Sequence, residues 1–114
     1  MSFLSRWFDS AMQSRVDETG VHRFSREMSA KLANARKKGR GGWQDPAQVT
    51  PDDLARQLVE HVAKGDPIDI ANYCMFLNHR VPNFAPGIIR EAMEKHVYAE
   101  VMRQRQADKS TAKE

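Results

Sequence analysis

Twice in the middle of the chain a capping side chain stands directly before a proline, an order that suits the start of a helix. Thr50-Pro51-Asp52-Asp53 gives a capping hydroxyl, proline at the first helical position and acids in the first turn. Asp66-Pro67 repeats the signal one residue after Gly65, a natural helix stop. Two helices meeting at so sharp a corner, with no alternating apolar pattern anywhere else, predict an all-α chain. The first of the two runs from the Thr50 cap to Lys64 with Leu54, Leu58 and Val62 inward. The second runs from Pro67 to about Arg80.

The flanks carry helical periodicity as well. Phe3, Leu4, Trp7, Phe8, Ala11 and Met12 form one stripe over residues 2–16, and Asp17-Glu18-Thr19-Gly20 reads as a turn. Phe24, Met28, Leu32 and Ala35 mark a second helix over 21–38, stopped by Gly39. Val81 to Pro86 breaks the chain again. A last helix follows from Gly87 to about Gln106, with Ile89, Met93, Val97 and Val101 inward. The expected architecture is a small helical bundle of about five helices, with a central helix near residues 67–80 that is apolar nearly all round. Residues 1–106 form a single domain and 107–114 a polar, flexible tail.

A chain of 114 residues supports one hydrophobic core. Its single cysteine, Cys74, excludes an internal disulfide and a Cys-based zinc site, and fits a reducing compartment. No apolar run reaches the roughly 20 residues that span a bilayer, and no signal-peptide pattern opens the chain. The sequence reads as cytoplasmic. Its charge is only +3, concentrated at Arg36, Lys37, Lys38 and Arg40. No groove-reading module accompanies these cations, so nucleic acid is not the expected partner.

The chemistry-bearing residues gather around the Gly65 corner. At about 100° per residue, His61 falls in the Leu54/Leu58 stripe while Glu60 points away. Asp69 and Asn72 sit near one another on the otherwise apolar helix that follows. A carboxylate on such a helix needs a partner, although a first-turn acid is also stabilised by the helix dipole. Asp66 reads equally as an N-cap or as a ligand, and His61 as a core histidine or a functional one. Upstream, Lys38 and Arg40 beside Gly41, Gly42 and Trp43 combine cations, open backbone N–H groups and a stackable ring. The bland alternative there is a solvated helix end whose tryptophan plugs the core. The aromatic first helix carries only Arg6 and Arg15, too few for an anionic lipid surface. Core packing or a dimer seam is the better reading.

In order, Lys38-Gly39-Arg40-Gly41-Gly42-Trp43, Leu54, Leu58, His61 and Gly65-Asp66-Pro67-Ile68-Asp69-Ile70-Ala71-Asn72 resemble phage-borne nucleotide pyrophosphohydrolases. The groups concerned are the MazG-type all-α enzymes and the small phage proteins labelled dATP/dGTP diphosphohydrolase. The resemblance covers about residues 24–80. Asp66-x-x-Asp69 matches the second acidic pair of the MazG pattern, with Asn72 following. The positions of the first pair hold His61 and Lys64.

This resemblance implies hydrolysis of a nucleoside triphosphate to monophosphate and pyrophosphate in the host cytoplasm, with Mg²⁺ as cofactor. Asp66 and Asp69 would hold the metal. His61 and Asp69 would carry the catalysis, and Lys38, Arg40, Trp43 and Asn72 would bind the nucleotide. It also implies a homodimer or larger homo-oligomer. A second reading is a non-catalytic phage accessory protein that binds a host or phage protein through the aromatic N-terminal helix.

Overall fold

The computed structural model describes residues 2–81 and 86–112, and every regular element among them is an α-helix. There are four: α1 (Phe3–Lys37), α2 (Pro51–Lys64), α3 (Pro67–Arg80) and α4 (Pro86–Ala112). None is long and apolar enough, among the described residues, to cross a membrane. The chain divides into two compact units, Met1–Arg40 and Gly41–Glu114.

The count of four instead of five arises in the first unit. No turn forms at Asp17 to Gly20, and α1 runs on as one helix of 35 residues, roughly 50 Å at 1.5 Å per residue. A mid-helix glycine costs about 1 kcal/mol relative to alanine. That alone does not end a helix whose propagation gains a hydrogen bond per residue. Gln13 spans the expected break by donating from its Nε2 to Asp17 Oδ1 at 2.8 Å. Ser2 caps the start, its Oγ accepting from the Ser5 N–H at 3.1 Å. The end comes where the sequence places it: Gly39 takes φ +80°, and the Lys38, Gly39 and Arg40 N–H groups donate to the last carbonyls. No residue of α1 is buried.

In the second unit, α2 starts with a reciprocal capping box. Thr50 Oγ1 accepts from the Asp53 N–H, and Asp53 Oδ2 accepts from the Thr50 N–H. It ends at Gly65 in the left-handed conformation, φ +86°. Asp66 then caps α3, its Oδ1 accepting from the Ile68 N–H at 2.9 Å. These are the two start signals and the stop read from the sequence.

The central element is α2, not the helix at 67–80. It packs against α3 on one side and α4 on the other. Leu54, Ala55, Leu58 and Val59 are all buried, a pair repeated four residues on, which gives α2 two adjacent buried faces. On α3 only Asn72, Phe76 and Leu77 are buried, and Cys74 is exposed. An all-round apolar composition did not make it the core helix because it has α2 on one side alone. Val62, expected inward, is 52% exposed.

Along α4, Ile88, Ile89, Ala92 and His96 are half-buried, while Met93, Val97 and Val101 lie open to solvent. The expected inward stripe therefore faces outward beyond its first turn. Helix α4 continues through residues 107–112, which the sequence pattern leaves as a tail. Most of the expected break between Val81 and Pro86, and residues 113–114, lie outside the described residues.

Candidate functional site at the α2–α3 corner

The last turn of α2 and the first two turns of α3 meet at Gly65. Its left-handed backbone reverses the chain within one residue. This brings His61 and Asp69, eight positions apart in sequence, to face each other. His61 Nδ1 lies 3.7 Å from Asp69 Oδ2, with both side chains about a quarter exposed. The separation is within ion-pair range and longer than a hydrogen bond. Nδ1 itself is buried without a hydrogen-bond partner.

One α3 turn beyond Asp69, Tyr73 lies flat on the imidazole, ring centroids 4.7 Å apart and planes 24° apart. The stack sets the imidazole plane against the Tyr73 ring. Tyr73 was not among the residues singled out from the sequence. Its i+4 spacing from Asp69, which puts both on one side of α3, is the signal that could have found it.

The remaining candidates fall in different places. Asp66 is half-buried beside the corner, with Oδ1 engaged in the α3 cap. Asn72 is only 4% exposed. Lys38 and Arg40 are exposed and belong to the first compact unit, at the end of α1.

Trp43, half-buried, lies against α3. Its ring stacks on Phe76 with centroids 4.6 Å apart and planes 14° apart, and meets His79 edge-on at 5.2 Å. Arg80 Nη1 donates to the Trp43 carbonyl at 2.7 Å. Phe76 in turn meets Tyr73 edge-on. The glycine-rich loop thus lays its tryptophan onto α3 as a plug, the alternative that the composition left open. Gly42 at φ +85° and an Asp45-centred turn shape that loop. Asp45 accepts from the Ala47 N–H and the Gln48 amide, and these hydrogen bonds hold its carboxyl below the usual range.

Among the described residues, no group of three or more His, Cys, Asp or Glu side chains is placed to hold a metal ion. Mg²⁺ is commonly bound through one or two carboxylates plus substrate phosphates and water.

Comparison with protein-family models, with curated proteins and with solved structures gives no match to this chain.

Proposed function

We propose that the chain binds a nucleoside triphosphate at the α2–α3 corner and hydrolyses it to the monophosphate and pyrophosphate. The observation that carries this reading is the imidazole of His61, stacked on Tyr73 with its Nδ1 3.7 Å from Asp69 Oδ2. Asp69 and Asp66 would hold Mg²⁺ together with the phosphates, and the cation would neutralise charge on the leaving group.

In this reading His61 Nε2 accepts a proton from a water as its oxygen attacks the α-phosphorus. The α–β phosphoanhydride bond breaks and pyrophosphate leaves with the bonding electrons. Asp69 keeps the imidazole oriented and stabilises the imidazolium that results.

Incubation with each dNTP and Mg²⁺, followed by ³¹P NMR, tests the reading. Monophosphate and pyrophosphate should appear together, and Asp69→Ala should abolish both. Absence of turnover and of binding at millimolar nucleotide would remove it.

A second reading has its own support. Phe3, Leu4, Trp7 and Phe8 are each more than half exposed on α1, and a contiguous aromatic surface of this kind marks a protein contact. Under this reading the chain is a non-catalytic accessory protein, and Trp7→Ser removes function while Asp69→Ala does not.

A further inference from the structure

We infer that α1 binds duplex DNA, without reading its sequence, through a row of cations along one exposed side of the helix. The inference is independent of the chemistry at the α2–α3 corner. It departs from the expectation set by the net charge, because that charge averages over two very different stretches. Residues 21–40 hold seven basic side chains and one acidic one, a charge of +6, so the rest of the chain carries −3.

The uninterrupted course of α1 lines these charges up. At about 100° per residue, Arg15, Arg23, Arg26 and Lys37 share one arc of about 80°. All four are exposed. The acids of the stretch, Asp17, Glu18 and Glu27, fall outside that arc. Cations in the last turn of a helix, here Arg36 and Lys37, are accounted for by the helix dipole. Arg15, Arg23 and Arg26 stand well before that turn, so the dipole does not account for them. A break at residues 17–20 would have put Arg15 on a different helix; its absence extends the row.

What lies between the cations selects among polyanions. From Arg15 to Lys37 the arc is otherwise filled by Thr19, Ala30 and Ala33, all small. The half-buried Met28, Leu32 and Ala35 lie on the opposite side of the helix. A helix lying on an anionic bilayer needs apolar side chains to bury beside its cations. Single-stranded nucleic acid needs aromatic rings on which its bases stack. This stretch of the arc offers neither. A duplex needs cations for its phosphates and a helix slim enough for the major groove, and small side chains between the cations allow close approach. From Arg15 to Lys37 the row spans about 33 Å at 1.5 Å per residue, close to one turn of B-DNA. Contacts to phosphates alone carry no sequence information.

The test uses the full chain and a fluorescently labelled duplex of about 20 base pairs, read by anisotropy. Binding should be micromolar at about 50 mM salt and about a hundredfold weaker at about 200 mM, with a slope of log K against log salt of about −3.6 for four phosphate contacts. Arg23→Gln with Arg26→Gln should make that slope shallower by about two and weaken binding roughly tenfold. Helical content by circular dichroism should be unchanged, since glutamine and arginine have similar helix propensity. Arg105→Gln with Lys109→Gln removes the same charge from α4 and should leave binding within about twofold. Absence of binding at about 50 mM salt, a slope shallower than about −2, or equal losses from the two double variants would overturn the inference. So would a preference of about tenfold or more between two unrelated duplexes. Capture by phosphatidylserine vesicles without capture of the duplex would also overturn it, and would give this face to a membrane surface.

Discussion

Trp43 and Phe76 lie face to face, 4.6 Å between ring centroids, although 33 residues separate them in the chain. This contact makes the glycine-rich loop part of the second unit's packing. Replacing Trp43 by alanine removes that plug and should cost about 3 kcal/mol, in the range for large aromatic truncations. Urea unfolding monitored by circular dichroism measures the loss. A variant with unchanged stability and weakened nucleotide binding would instead make Trp43 a lid over a base.

Two of the three glycines at positive φ, Gly42 and Gly65, differ in what surrounds them. A Cβ on Gly42 would meet Gln48 Oε1 at 2.0 Å, whereas Gly65 has open space around the same position. Gly65→Ala therefore meets only the left-handed backbone penalty, about 1–2 kcal/mol. Gly42→Ala meets that penalty and also displaces the Gln48 amide from Asp45. It should be the more destabilising of the two by thermal unfolding; equal costs would mean that Gln48 moves away freely.

The capping box sets an acid limit to stability. The Thr50 N–H and hydroxyl hold the Asp53 carboxyl below its ordinary range. A carboxyl with a depressed folded-state pKa contributes stability above its unfolded value, about 3.9. That contribution is lost as pH falls through the lower, folded value. Asp45 behaves in the same sense. Unfolding free energy should therefore decline from about pH 4 downward, and Asp53→Asn should flatten that decline. Thr50→Ala should cost about 1 kcal/mol at neutral pH. An unaltered acid slope in the Asp53 variant would contradict the linkage.

How far the sequence could be read depends on which rule governed each segment. The Thr50, Gly65 and Asp66 signals were legible because caps and left-handed glycines act locally, on backbone groups within a few residues. The stop at Gly39 was legible for the same reason. The turn at residues 17–20 was misread because turn-favouring residues lower helix propensity without blocking it; proline would have blocked it. Facing directions failed where a stripe had fewer neighbours than its width suggested, as at Val62 and along Met93, Val97 and Val101. Apolar residues stay exposed when no element is present to cover them.

At the site, the inward tilt of His61 and the shared side of Asp69 and Asn72 followed from helical geometry. Helical angles could not separate the half-exposed Asp69 from the enclosed Asn72, because that depends on how closely α2 approaches α3. The Trp43 stack was equally out of reach, since loop 41–50 has no periodicity from which to place a ring.

The central claim is that a nucleotide meets the chain at the His61–Asp69 corner, and the imidazole reports on it directly. In a titration of the full chain with dNTP and Mg²⁺, the His61 ring signals in a ¹H–¹³C NMR spectrum should shift and saturate by millimolar ligand. The signals of His22 should stay in place, and Asp69→Asn should suppress the His61 shift. A His61 signal that never moves, or one that moves no more than His22, would contradict the account.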